Sequence, residues 1–214
     1  MKKVLFIAAL FCSMAAYAQQ FGVIGGMSLS TMNGAPHPKE DKGLIQYQAG
    51  VVYKADLGAG FAVQPSLTYQ VKGANVDQGN NMTSKSKTGF VELGVGAQWG
   101  PDMLAFRPYL FVEPFIGYGV TGVEKVGWSS ISEDLLKKYG TALDGAKNKL
   151  EYGLGGGIGL EIASHIQLSC QLYRNFGPLY KSDEFGSGDL ATVKPFYEGL
   201  KSYQGLKISL AILF

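Results

Sequence analysis

Seven side chains in this 214-residue sequence could do acid, base or ionic chemistry if a fold gathered them: the carboxylates Glu92, Glu113 and Glu161 and the cations Lys54, Lys72, Arg107 and Lys207. Two carboxylates facing one sugar would suit glycosidic acid/base work. Paired carboxylate to cation, the same residues would instead neutralise a polar interior, and ion pairing is the simpler expectation. Other chemistry is poorly supplied. His37 and His165 fall in connections expected at opposite ends of the molecule, so they share neither a metal nor a catalytic site, and neither stands beside an outer-facing serine as a lipid A deacylase would require. The glycine run GLGGGIGLE does not satisfy GxGxxG in any register, and no GK[ST], HExxH or GxSxG pattern occurs. The expectation is a non-enzyme without cofactor or metal.

The elements that must position these charges are legible from composition and period. Hydrophobic residues make up 46% and charged residues 17%, which excludes a disordered or coiled-coil chain, and the 30 glycines are about twice the usual share. Residues 1–18 read as an export signal: Lys2 and Lys3, then an apolar run from Val4 to Phe11, then Ala16-Tyr17-Ala18 as the cleavage pattern. Residues 19–214 would then form one domain with 17 basic and 17 acidic residues, too balanced to attract nucleic acid. Phe11 before Cys12 speaks against a lipid anchor. Cys170, the one cysteine left, has no disulfide partner.

After Ala18 nearly every stretch alternates with period 2. At the C-terminus Leu206, Ile208, Leu210, Ile212 and Phe214 share one face, and Gly205, Lys207, Ser209 and Ala211 the other. Seven more segments divide likewise, giving eight strands of about 10 to 14 residues, long enough to cross a bilayer at a tilt. Connections near 58–60, 100–106 and 163–165 are short, and those near 31–43, 73–87, 122–148 and 177–201 are long. This predicts an all-β fold: an eight-stranded antiparallel up-and-down transmembrane β-barrel with short periplasmic turns and four long external loops.

A soluble barrel would turn its apolar face inward. Here the apolar face is nearly free of charge, with Arg174 near a strand end as the exception, and Tyr47, Tyr53, Phe61, Tyr69, Trp99 and Tyr118 fall where interfacial girdles belong. The opposite face carries the seven charges above together with Glu151. Gly153, Gly155, Gly157 and Gly159 would make room in a narrow interior for Tyr109, Phe111 and Phe115, predicting a packed lumen without a continuous channel.

The signal, the eight-strand rhythm, the glycine-interleaved strands and the last strand, LKISLAILF ending in Phe214, together resemble the PorT-like outer-membrane β-barrel family of Bacteroidetes, with an architecture similar to OmpX and the OmpA transmembrane barrel. The resemblance implies a Gram-negative outer membrane, contact with its lipid, and recognition by the barrel-assembly machinery through the C-terminal strand and Phe214. It implies a structural or interaction role through the external loops, with a protein partner there. A narrow transport or small-ligand-binding barrel using the lumen charges is the alternative, ahead of a lipid-modifying enzyme. Within the third long connection Ser130 to Glu133 fits a capping box, and the residues to Lys147 have the spacing of a short amphipathic helix.

Overall fold

The computed structural model describes residues 19–33, 42–77, 82–103, 105–128, 148–177 and 202–214. They form eight strands: β1 (Gln19–Asn33), β2 (Lys42–Gly58), β3 (Phe61–Asp77), β4 (Met82–Trp99), β5 (Phe106–Trp128), β6 (Leu150–Ile162), β7 (Ile166–Asn175) and β8 (Ser202–Leu213). Each pairs antiparallel with its sequence neighbour, and β1 pairs with β8 to close a barrel in chain order. The expected export signal, His37, the expected loop helix and most of the fourth long connection lie outside the described residues.

Closure follows from the alternation, because a sheet apolar on one side throughout can hide either its edges or its apolar face, and a bilayer takes care of the second. The apolar set of β8 faces outward, with Ile208, Leu210 and Ile212 each about half exposed, while Lys207, Ser209 and Ala211 are buried. At the short-turn end the outer wall carries Phe21 against Tyr53 (ring centroids 4.9 Å apart) and Phe61 against Trp99 (6.4 Å). At the other end it carries Tyr47 against Tyr69 and Tyr152 against Phe176, each pair at 6.5 Å. Two aromatic rings bounding an apolar band are the profile of a transmembrane barrel. Cys170 stands on this outer wall as a free thiol.

One expectation about the connections needs correction. Residues 73–87 are not a long loop, because β3 continues to Asp77 and β4 begins at Met82, leaving only 78–81 between them. The strand β5 likewise runs on to Trp128, past the expected start of the third connection. Beyond the girdle the bilayer no longer demands an apolar outer face. Strand residues there no longer keep a strict apolar alternation and read in sequence as a loop.

The tight end is built from backbone. Gly58, Ala59 and Gly60 all have positive φ (82°, 52° and 79°), which glycine adopts without the penalty a Cβ imposes. The Gly100 amide donates to the Gly60 carbonyl at 3.0 Å, joining this turn to the next. At the seam, the Phe21 amide donates to the Phe214 carbonyl (3.2 Å) and the Phe214 amide to the Phe21 carbonyl (2.7 Å), so the last residue takes part in closure.

The glycines of β6 divide by task. A Cβ on Gly159 would stand 2.2 Å from the Tyr109 ring, whereas one on Gly153 would meet both the Arg174 carbonyl at 2.3 Å and the Phe115 ring at 2.5 Å, so Gly159 admits an aromatic and Gly153 an aromatic and the β7 backbone together. At Gly155 the space goes to the Gln171 amide, and at Gly157 a Cβ would meet the Cys170 carbonyl at 2.0 Å. Phe111 is not seated in a glycine gap but packs against Tyr109 at 5.9 Å. Because the obstacle at Gly157 is the backbone of β7, Gly157→Ala is expected to lower barrel stability by about 1–3 kcal/mol, read as a lower urea midpoint for unfolding from lipid vesicles. An unchanged midpoint would mean that the β6 and β7 backbones can part without cost.

Candidate functional site

The inward side chains stack in three layers along the barrel axis. In the external layer Lys72 of β3 is fully buried, and its Nζ lies 3.0 Å from Glu92 Oε1 of β4 and 3.0 Å from Glu151 Oε1 of β6. It also donates to Asn175 Oδ1 of β7 at 3.4 Å, and the Asn175 amide in turn donates to Glu151. With its amide nitrogen turned to Glu92, Gln70 donates to that carboxylate at 3.0 Å. Aromatic faces enclose the ammonium: Phe115 at 4.6 Å, Tyr173 at 4.9 Å and Phe90 at 5.5 Å, with Tyr203 edge-on to Phe90 at 6.2 Å. One cation thus holds two carboxylates inside an aromatic collar. Cation–π attraction of this kind strengthens when water is excluded.

In the middle layer Lys207 of β8 reaches Glu113 of β5 at 3.6 Å, and Gln171 donates to the same carboxylate at 3.2 Å. Gln48 donates to Ser209 Oγ at 2.5 Å. The space left among these residues is about 40 Å³, little more than the share of one water.

In the layer at the short-turn end Glu161 of β6 is the hub. It accepts from Lys54 Nζ of β2 at 2.9 Å, from Arg107 of β5 at 3.5 Å and from Gln167 at 2.9 Å. Lys54 also pairs with Asp56 at 2.9 Å. Arg107 donates to Gln98 Oε1 at 3.1 Å and to the Gly60 carbonyl at 2.8 Å, and Gln98 donates onward to Gln64 at 2.8 Å. Around this layer lies a cavity of about 270 Å³ at the short-turn mouth.

All seven charges singled out in sequence therefore line the lumen, but in separate layers: Glu92 with Lys72, Glu113 with Lys207, Glu161 with Lys54 and Arg107. The three carboxylates do not face one another across a common substrate gap; each is held by its own cation. Among the described residues Glu151 makes the interior charges even, four cations to four carboxylates. The residues that sequence reasoning did not group with them are amides: Gln167, Gln171 and Asn175 donate to the carboxylates, and Gln98 and Gln64 extend the hydrogen bonding from Arg107. Their signal was there, since all lie on the polar face of their strands. His165 sits exposed in the short turn, its Nδ1 2.6 Å from the Ala163 carbonyl.

The model for an outer membrane protein beta-barrel domain matches residues 17–181. The chain belongs to this family. Its members' setting, a Gram-negative outer membrane, accounts for the apolar outer wall and makes the short-turn end the periplasmic one. Among solved structures, similarity extends to Neisserial surface protein A (11% identity, 92% of this chain and 97% of that chain covered, TM-score 0.45). It extends likewise to the attachment invasion locus protein Ail of Yersinia pestis (10%, 92% and 97%, 0.42) and to the outer membrane protein OprG of Pseudomonas aeruginosa (12%, 92% and 97%, 0.45). No curated protein sequence gives a significant match.

Proposed function

We propose that this family member is a PorT-like integral outer-membrane barrel, exported through residues 1–18, whose role is structural or interactive and is carried by its external side, not by a channel or an active site. The external layer carries this reading. Lys72, Glu92 and Glu151 neutralise one another under the collar of Phe90, Phe115, Tyr173 and Tyr203, closing the lumen to solute at the level of the outer girdle. What extends past the bilayer is then available for contact, and β3, β4 and β5 each continue several residues beyond Tyr69, Val91 and Tyr118. Outer-membrane lipid surrounds the wall in this reading. The barrel-assembly machinery engages the last strand and Phe214.

Crosslinking in native outer membranes followed by mild-detergent purification tests the interaction role. A protein partner recovered in fixed ratio and crosslinked through the external connections is the expected result; a monomer that comes away alone from crosslinked membranes overturns it. In planar bilayers the purified barrel is expected to give no stable conductance of porin size, and such a conductance would overturn the closed lumen.

A further inference from the structure

The sheet does not stop at the external girdle. β3 and β4 hold one register from the pair Phe61 and Trp99 to the pair Asp77 and Thr83, so Lys85 and Lys87 take the same face of β4 as Val91, Leu93 and Val95, the face that meets lipid. β5 joins them through a bulge. Val120 is an extra residue opposite the step from Gly89 to Phe90, and beyond it the odd-numbered positions of β5 take the outer face. Lys125 therefore stands directly opposite Lys85; without the bulge it would share the inward face of Phe115. On the other side Asn75 is opposite Lys85 and Lys42 is opposite Asn75. One row of Lys42, Asn75, Lys85 and Lys125 thus crosses four strands, with Lys87 two positions nearer the girdle.

Among the described residues Asp77 is the one acid at an outer position of this extension, since Glu124 is opposite Ser86 on the inner face. Like charges directly opposite one another on a sheet are unfavourable, and an anion lying against the row reverses the sign of that contribution. A second feature lies between Lys87 and the girdle. The hydroxyls of Tyr69 and Thr121 meet at 3.0 Å, exposed on the outer wall. A Cβ on Gly89 would stand 2.2 Å from the first and 2.4 Å from the second, so the glycine is what lets them meet. One O–H serves the contact and the other is left to donate.

Height identifies the occupant. Lys87 is four residues above the row of Tyr69, Val91 and Tyr118, and Lys85 is six above it. That is about 13 and 20 Å along the strand, or about 10 and 15 Å along the axis at the usual tilt. A phospholipid headgroup layer is only about 5–8 Å deep. An anion that rises from the lipid to both levels needs a tall headgroup, as phosphorylated sugars provide.

We propose that the outer face of β3, β4 and β5 above the girdle docks a phosphorylated glycolipid of the outer leaflet. Its acyl chains lie on the apolar wall, its anionic groups against Lys42, Lys85, Lys87 and Lys125, and a headgroup oxygen accepts from the Tyr69 and Thr121 hydroxyls. Continuity with the lipid-covered wall favours a lipid over a soluble partner. The proposal rests on the outer-membrane setting and is independent of any protein partner.

Native mass spectrometry of the full chain in detergent micelles tests it, with bisphosphorylated lipid A, the same lipid stripped of phosphate, and phosphatidylglycerol as probes. A one-to-one adduct with bisphosphorylated lipid A is expected, at least about tenfold tighter than with either other lipid. The triple substitution Lys85→Gln, Lys87→Gln, Lys125→Gln is expected to weaken it by at least about tenfold, and Arg174→Gln, on β7 across the barrel, to leave it unchanged. Should the triple variant not fold, judged by heat-modified gel mobility, Lys87→Gln alone is expected to weaken the adduct by about threefold or more. Equal adducts with the three lipids overturn the proposal, as does an adduct that survives loss of the lysines or falls as far with Arg174→Gln. A soluble deca-glutamate that displaces the lipid at equal concentration would give the face to an acidic protein and overturn it too.

Discussion

Replacing Lys72 by methionine is expected to destabilise the barrel by about 3–5 kcal/mol, the largest loss of any single lumen substitution. The reason is what stays behind. Methionine fills nearly the same volume and can rest against Phe90, Phe115 and Tyr173, so little packing is lost. Glu92 and Glu151, however, both buried and both now lacking the ammonium 3.0 Å away, must remain as two facing carboxylates or take up protons. The check is equilibrium urea unfolding from lipid vesicles, comparing Lys72→Met with the triple substitution Lys72→Met, Glu92→Gln, Glu151→Gln. Recovery of much of the loss in the triple variant would assign the cost to uncompensated charge. A single variant as stable as the parent would mean that water reaches this layer, which would also undo the closed lumen.

The second large effect lies on the outer wall. Val95 of β4 projects outward about midway between Trp99 and Val91, in the middle of the apolar band. Val95→Arg is expected to cost about 2–4 kcal/mol, because a guanidinium there has no water within reach of its side chain. The same change at Leu57, exposed at the short-turn end of β2, is expected to cost only about 0–1 kcal/mol. Refolding into vesicles and measuring both urea midpoints gives the comparison. Equal, small losses at the two sites would place water against the wall at Val95 and overturn the bilayer-spanning orientation.

How much of this was legible beforehand depended on what the bilayer enforces. Within the apolar band every second residue must face lipid, so the strands around Ile45 to Leu57, Phe61 to Tyr69 and Leu206 to Phe214 could be read with their correct faces from alternation, whereas Val71, read as outward, is buried. Past the girdle that constraint lapses, and the polar residues of 73–87 concealed two strand ends. For the lumen, alternation gave the face of each charge but not its height. Nothing local pairs Lys54 with Glu161, 107 positions away and on a strand that is not its neighbour; the register of the whole sheet decides it. The cavity at the short-turn mouth was invisible for the same reason, since Asp56, Asp102, Arg107 and Glu161 meet only once three turns come together at one end.

The seam between β1 and β8 bears on how such a chain becomes a barrel. Its pairs, Gly22 with Leu213 among them, join residues from opposite ends of the domain, and in a bare coil that would be the slowest contact to find. The seven other ladders join sequence neighbours, several across turns of a few residues, so hairpins can zip up in order at small entropic cost each. The late species on that route is an open curved sheet with two unpaired edges, β1 and β8, and a naked apolar face. In water such a sheet would recruit other copies of itself. Lipid therefore has to cover the wall before the ends meet, and the ring is completed when β8 reaches β1.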